Sequence, residues 1–586
     1  MPALGLNTGV TNSSLYGAPD ILITGFDELG ITPHLGRIDT TGHLSETLTY
    51  TTGTHQFRFG AEYRRARLDV FYDRNKRGAF SFDGTQTGAA LADFLAMRVA
   101  PNKASIAFGD LQRNYYLNGT SEFFQDTWKV RRNLTLNYGL NWQYQSPVID
   151  PTNRISTFIP SSGGITYVGQ IPNLWPRDMN DFAPRFGFAY QPGSTSKLVV
   201  RGGYGIFYQV PNVNYFGDNR PGNGGASGVL ANPGGSSPVF TLSNQSALQI
   251  QPNVSIFGNV AFPTGPFGAF SVSQQFVDAY VQNANMNLQY QISQSTVFEL
   301  GYTGSFSRHL PVTADINQLP IGGAARPYAA SFPNLATINE IQSVGNGYYN
   351  GMVASVRTSS YHGLLAKLNY TYGHSRDDLS ATRGAIPQNS YNIRGDYGNA
   401  DFDIRHSFVG FVSYSLPSPS HAKLLLGGWQ LNSLLSFYTG VPLTVLSGTD
   451  TSGTKENKDR AAIIGDPFQS LAANKQPNYI YWFNPLAYTA PAQGTYSNQA
   501  RNQLSGPPTR EVDFSIFKNT KINERINTQL RVEIFNIANT LNLSNPGVTL
   551  GGGLGQSTST KDVGNGAPGI GVGAPRNVQL ALKIVF

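Results

Sequence analysis

The stretch NLTLNYGLNWQYQS, residues 133–146, alternates without a fault. Leu134, Leu136, Tyr138, Leu140, Trp142 and Tyr144 fall on one side, and Asn133, Thr135, Asn137, Gly139, Asn141 and Gln143 on the other. Side chains of a β-strand point alternately to opposite faces, so this period of two predicts a strand with one apolar and one polar face. The polar face carries no charge, and half of the apolar face is aromatic. What meets each face decides the fold.

The same pattern recurs along the chain. Phe57, Phe59, Ala61 and Tyr63 alternate with Arg58, Glu62 and Arg64, and Met286, Leu288, Tyr290 and Ile292 alternate with Asn and Gln. Phe298, Leu300 and Tyr302 alternate with Glu299 and Thr303, and Leu368, Tyr370 and Tyr372 with Lys367, Asn369 and Thr371. Leu530, Val532 and Ile534 alternate with Gln529, Arg531 and Glu533, and the chain ends on Val578, Leu580, Leu582, Ile584 and Phe586. In these segments every charge (Arg58, Glu62, Arg64, Glu299, Lys367, Arg531, Glu533, Lys583) has the polar parity. An Arg or Lys on a lipid-facing position at mid-depth costs about 2–4 kcal/mol, whereas a wet lumen tolerates it. The reading is therefore a membrane wall with apolar residues towards lipid and polar residues towards a water-filled or protein-plugged lumen. Leu134, Leu136, Tyr138, Leu140, Trp142, Tyr144, Leu368, Tyr370, Leu580 and Leu582 are expected to face lipid. Arg58, Glu62, Glu299, Lys367, Arg531 and Glu533 are expected to face the lumen.

Loop lengths point the same way. Short connectors at 52–54, 130–133, 191–197, 293–295, 359–363 and 519–525 alternate with long polar stretches. The long stretches run near 67–112, 147–180, 210–278, 307–347, 374–403, 447–510 and 539–575. Short turns on one side and long loops on the other belong to outer-membrane barrels, and a compact soluble domain has no use for so many long connections. One strand near 20–26, seven pairs and a terminal strand make about sixteen. The alternative, a large soluble all-β protein such as a propeller or stacked sandwiches, calls for Lys- and Glu-rich outer faces and even loops.

Composition agrees. Only 13% of the 586 residues are charged, against about 25% in ordinary soluble domains. The absence of cysteine excludes a disulfide framework, a thiol nucleophile and thiolate metal sites. No stretch reaches the roughly 18 apolar residues of a transmembrane helix. The net charge of +7 is spread along the chain, which gives no nucleic-acid signal. The start, MPALGLNTGVTNSSLYG, has neither the basic nor the apolar region of a secretory signal.

Six blocks in order carry a family likeness: residues 121–144, 180–209, 398–417, 425–445, 483–546 and 575–586. Among them are SEFFQDTWKVRRNLTLNYGLNWQY, GNADFDIRHSFVGFVSYSLP and PRNVQLALKIVF. Together they resemble the barrel of TonB-dependent outer-membrane receptors, and within these the Oar-like group. The resemblance implies an all-β, transmembrane antiparallel barrel of 22 strands filled by an N-terminal plug. It also implies a TonB box and a carboxypeptidase-regulatory-like sandwich ahead of the plug. None of these N-terminal parts, nor the first several barrel strands, is recognisable in this sequence. The expectation is an N-terminally truncated barrel, with an irregular segment over 1–19 and the barrel over 20–586. A split gene or a natural plugless barrel are the other possibilities. Phe586 matches the family's terminal aromatic, the signal read by the barrel-assembly machinery; otherwise it is only the last apolar residue of a strand.

No catalytic constellation is present: HExxH, GxxxxGK[ST] and GxSxG are absent, and GNGAPG at 564–569 lacks a βαβ context. His406 with Asp401, Asp403 and Arg405 reads better as a strand junction held by charge pairs than as a metal or acid–base site. Asp377 and Asp378 read better as solvated loop residues than as a cation site. Candidate ligand contacts lie in the long loops: Tyr215, Phe216, Tyr479, Tyr481 and Trp482, each of which either meets a ligand or packs its own loop.

The resulting expectation is the barrel of a TonB-dependent transporter in the cell outer membrane of a Gram-negative bacterium. It binds an extracellular ligand and passes it through the lumen. It needs no cofactor, performs no catalysis and binds no nucleic acid. Its partners are outer-membrane lipid, the assembly machinery, and the TonB complex through the N-terminal parts. A structural or adhesive outer-membrane protein and a passive diffusion pore are the alternatives.

Overall fold

The computed structural model describes residues 17–30, 35–72, 79–96, 98–100, 104–109, 113–153, 155–193, 197–212, 216, 225–230, 267–333, 335–380, 386–419, 421–456, 458–471, 474–569 and 571–586. Among the described residues, seventeen strands make one closed barrel sheet: two short ones, Phe267–Val272 and Gly398–Asn399, and fifteen others that form its wall. They are β1 (Leu35–Thr52), β2 (His55–Tyr72), β3 (Arg113–Arg131), β4 (Leu134–Gln145) and β5 (Asp181–Tyr190). Next come β6 (Leu198–Tyr208), β7 (Tyr280–Gln291), β8 (Thr296–Asp315), β9 (Leu335–Tyr361) and β10 (Leu364–Asp377). The last five are β11 (His406–Ser415), β12 (Trp429–Tyr438), β13 (Thr509–Lys521), β14 (Asn527–Phe535) and β15 (Asn577–Val585). Each pairs antiparallel with the next. The stretch 133–146 is β4, paired with β3 and β5 along its length.

Local chemistry sets the tight turns. Between β1 and β2 only Gly53 and Thr54 intervene, and Gly53 has φ +56, as the first position of a type II′ hairpin turn requires. Between β9 and β10, His362 (φ +50) and Gly363 (φ +83) are both left-handed, the requirement of a type I′ turn. These turns match the right-handed twist of the strands they join. Most of the other connections on this side are also short. The longest, 416–428, contains the helical turn Lys423–Leu426. On the opposite side lie the long segments, including 146–180, 209–279, 439–508 and 536–576.

One expected wall strand is elsewhere. Asp20–Ile23 pairs parallel with Ala79–Phe82, in a four-stranded sheet completed by Ala104–Gly109 and Gly225–Leu230. Four residues cannot span a bilayer, which takes about 9–11 tilted strand residues. The first wall strand is instead β1, whose LGRIDTTGHLSETLTYTT is rich in Thr and carries Arg37, Asp39 and Glu46, so its alternation is faint in sequence.

Among the described residues, three apolar cores lie at the long-loop side, the smallest of them around Phe158, Ala269, Leu335 and Ile338. The first joins Leu68, Tyr115 and Leu117 of β2 and β3 to Val148, Ile155, Leu174, Trp175, Phe216, Val272 and Phe276 from the loops. The second is internal to the 439–508 and 536–576 segments, with Val445, Ala461, Phe483, Ala487, Tyr488, Leu504 and Leu554.

Candidate functional site

Register fixes which side chains share a face. Arg58 lies opposite Gln125, Glu62 opposite Ser121 and Arg64 opposite Gly119. Thr127 lies opposite Asn137, Phe123 opposite Asn141 and Ser121 opposite Gln143. A cavity of about 600 Å³ is bordered mainly by this face, with Arg58, Glu62, Arg64, Asn137, Asn141 and Gln143, and also by Phe124, Tyr138 and Leu140 of the other parity. Neighbouring walls satisfy its polar groups: Thr127 Oγ1 donates to Asn137 Oδ1 at 2.8 Å, and Ser121 Oγ donates to Asn141 Oδ1 at 3.0 Å. Uncharged amides suit such a wall, because each can donate and accept to an adjacent strand while a spare group meets water.

The other expected luminal charges share this parity. Glu299 accepts from Asn287 Nδ2 at 2.5 Å. Lys367 lies opposite Arg357, two cations side by side. Arg531 stacks its guanidinium on the Phe517 ring, 5.0 Å from the centroid, and Glu533 lies opposite Ser515 and Gln579. At the mouth end, the parity of Glu62 and Ser121 continues into Leu68, Tyr115 and Leu117, which the loops cover. The cavity therefore lies beneath a lid of packed loops.

The opposite face carries Leu134, Leu136, Tyr138, Leu140, Trp142 and Tyr144. Tyr138 is 39% and Leu140 44% exposed. Leu368 lies between Val356 and Gly410, and the Tyr370 hydroxyl is 2.8 Å from His406 Nδ1. Leu580 and Leu582 lie opposite Val532 and Leu530, and Phe586 is 94% exposed. This face is not free of charge. Glu46 and Glu122 both lie opposite Ala61, and Asp126 lies between Phe57 and Tyr138. Asp126 is buried and accepts a 2.7 Å bond from the Tyr138 hydroxyl, with His55 Nδ1 at 2.7 Å on the same oxygen. In SEFFQDTW two adjacent Phe residues blur the alternation, which hid these acids in the sequence.

The loop candidates divide. Tyr215 lies outside the described residues. Phe216 is fully buried, stacked on Trp175 at 4.2 Å and edge-on to Phe276 at 5.8 Å. Its ring is held by the first loop core and offers no surface to a ligand. Trp482 donates to the Ser505 carbonyl at 2.7 Å and packs on the second core. Tyr479 and Tyr481 meet edge-on at 5.1 Å in a short strand and remain half exposed.

DFDIRH forms a junction held by charge pairs. Asp403 accepts from Ser375 N at 2.6 Å and pairs with Arg405 at 3.1 Å, while Asp401 pairs with Arg501 at 3.1 Å. Asp377 and Asp378 are buried rather than solvated. Arg501 pairs with Asp377, and Arg394 pairs with Asp378 at 3.3 Å. Arg460 pairs with Asp396 in the same network; burial, and then the nearby Arg501 charge, bring its guanidinium down to about 10. These bonds lock the segment 378–405 to the segment 439–508, a long-range arrangement that local patterning does not reveal.

Other loop carboxyls are shifted as well. Burial, the Asp315 contact and the Asp315 charge push Glu456 up to about 8. Burial and the neighbouring Asp178 charge push Asp278 up to about 7. Among the described residues, no group of three or more His, Asp or Glu side chains is gathered to hold a metal ion.

No curated protein matches the chain. Among solved structures, it is similar to the outer membrane transporter YddB from Escherichia coli, at 11% identity and a TM-score of 0.49, over 97% of this chain and 57% of that one. It is also similar to the siderophore receptor PiuA from Acinetobacter baumannii, at 10% identity and a TM-score of 0.44, over 94% of this chain and 56% of that one. For the FrpB iron transporter from Neisseria meningitidis the figures are 10%, 0.42, 94% and 55%. The chain thus spans little more than half the length of these structures. The family model for the outer membrane beta barrel domain matches residues 2–579. Over nearly its whole length, then, the chain belongs to the outer-membrane β-barrel domain family, which places it in the outer membrane of a Gram-negative bacterium.

Proposed function

We propose that this barrel is the wall and mouth of a transporter, taking an extracellular ligand at its loops and passing it along the polar lumen. The observation that carries the reading is the polar cavity bordered by Arg58, Glu62, Asn137 and Asn141, lying below loops that pack on Leu68, Tyr115 and Leu117. A passage lined by amides and a few charges lets a hydrated solute move, and a mouth closed by packed loops calls for capture before passage. Tyr479 and Tyr481 are the candidate ligand contacts with exposed ring surface. Energy is supplied through TonB, in keeping with the sequence resemblance to the Oar-like group. Leu134, Leu136, Tyr138, Leu140, Leu368, Tyr370, Leu580 and Leu582 meet lipid, with Trp142 and Tyr144 towards the outer girdle. The assembly machinery reads the strand ending at Phe586. The wall carries out no catalysis.

The test is solute uptake by the native host with and without this gene, across iron chelates, oligosaccharides and peptides, before and after collapse of the proton gradient. The reading expects one class to be lost with the gene and to stop when the gradient collapses. Uptake that survives the collapse indicates a diffusion pore, and no change in any class indicates a structural or adhesive role. Either result contradicts the reading.

A further inference from the structure

The connection between β11 and β12 carries three consecutive leucines on a single helical turn, Lys423–Leu426. Successive residues of an α-helix point about 100° apart, so Leu424, Leu425 and Leu426 cannot all rest on one protein surface. They are 67%, 71% and 49% exposed, and Leu416 at the start of the connection is exposed as well. A run of open apolar side chains marks a site of contact with another apolar body.

The wall fixes where the turn sits. Trp429 opens β12 on the parity of Leu431, which lies opposite Tyr414 and Ile516. Lys518 lies between Trp429 and Leu530, and Leu530 lies opposite Leu582, so these side chains share the outward face. The Trp429 indole N–H donates to the Leu425 carbonyl at 2.9 Å. The Lys518 ammonium donates to the Gly427 carbonyl and lies 5.5 Å from the centre of the Trp429 ring. Two outward side chains therefore hold the turn on the outside of the wall, away from the lumen.

The same two residues mark its depth. A Lys on the outward face costs little only near the membrane–water interface, where its ammonium reaches the headgroups. Trp is enriched at that level too. Short turns lie on the periplasmic side of outer-membrane barrels, so Trp429 and Lys518 stand at the periplasmic headgroups. The leucines lie beside them, and Lys423 on the same turn is exposed. Apolar side chains flanked by cations are the composition of a segment that lies in a lipid interface.

We propose that the 416–428 connection is an interfacial anchor. Leu424, Leu425 and Leu426 are immersed in the phospholipid leaflet on the periplasmic side, with Lys423 and Lys518 at its phosphate level. The occupant is lipid because the turn continues the outward face of β12 and β13, and because the cations beside it match phosphates. The anchor fixes the depth at which this sector of the wall sits. The inference rests on the outward face meeting lipid, and it is independent of what passes through the lumen.

The cysteine-free sequence makes the test direct. Leu424→Cys, Leu425→Cys and Leu426→Cys are labelled singly with bimane in the full chain, reconstituted in phosphatidylethanolamine–phosphatidylglycerol vesicles. Quenching is read with lipid spin-labelled near the headgroup end of its acyl chain, and with iodide on both sides of the membrane. Leu435→Cys, opposite Gly410 on the outward face of β12, is the lipid control. Glu524→Cys, exposed in the turn between β13 and β14, is the water control. The proposal expects the labels at 424, 425 and 426 to be quenched by the spin-labelled lipid, and several-fold less by iodide than the label at 524. Iodide quenching equal to that at 524, while 435 is quenched by lipid, means that the turn stands in water and overturns the anchor alone. Labels shielded from both quenchers mean that a second copy covers the turn, which also overturns it. A label at 435 untouched by lipid overturns the reading of the outward face, and the anchor with it.

Discussion

Arg501 and Asp377 lie 124 residues apart in the chain and form a buried ion pair at the mouth of the barrel. The same guanidinium donates to the Asp396 carbonyl at 2.7 Å and to Ser380 Oγ at 3.1 Å, so one side chain holds two long segments together. Removing one member of a buried pair leaves the other uncompensated, typically at about 3–5 kcal/mol. Arg501→Ala is expected to loosen 386–405 and 439–508 by an amount of that order and leave the wall intact. Amide exchange resolved by segment checks this, with the exposed Lys458→Ala as the neutral control.

Glu456 gives the mouth a pH dependence. Its carboxyl is raised from 4.5 to about 8, first by burial and then by the contact and charge of Asp315. The folded loop therefore holds a proton that the opened loop releases. The stabilisation is full below the ordinary carboxyl range, declines as pH rises from about 4.5, and is gone above about 8. Protease nicking within 439–508 is expected to increase over that window, and Glu456→Gln to flatten the profile.

On the outward face, Tyr138 and His55 are the partners of a buried acid. Tyr138→Phe keeps the ring and removes the 2.7 Å bond to Asp126. A lost bond to a buried charged group costs about 1–3 kcal/mol. A lower urea midpoint for unfolding from vesicles, by that amount, is the expected readout, and an unchanged midpoint contradicts it.

Phe586 is 94% exposed and packs on little of its own chain. Phe586→Ala is expected to lower the amount assembled in the outer membrane several-fold while leaving the heat stability of the assembled fraction unchanged. Equal assembly means that Phe586 is only the end of a strand.

The wall was legible because membrane strands advertise themselves twice. Leu134 to Tyr144 and Val578 to Ile584 alternate cleanly, and turn residues such as Gly53 and Gly363 punctuate them. β1 is illegible because Thr and Ser blur both faces, whereas the apolar run near 20–26 reads as a wall strand and in the structure contributes Asp20–Ile23 to a loop sheet. Glu122 and Asp126 carry no parity signal in the sequence, because the adjacent Phe123 and Phe124 break the alternation beside them. The mouth was the least legible part. Asp377 with Arg501, and Trp175 with Phe216, meet only through tertiary packing of distant loops, which no local period records.

The most direct test of the central claim, an outward lipid face and an inward polar passage, is a single-cysteine scan of residues 134–143 with an environment-sensitive fluorophore in membranes. The account predicts that labels at 136, 138 and 140 are quenched by spin-labelled lipid, and that labels at 135, 137 and 141 are quenched by aqueous iodide. Leu140→Arg should then cost about 2–4 kcal/mol in bilayer folding, and Asn137→Arg little. Labels that respond alike at both parities contradict the account.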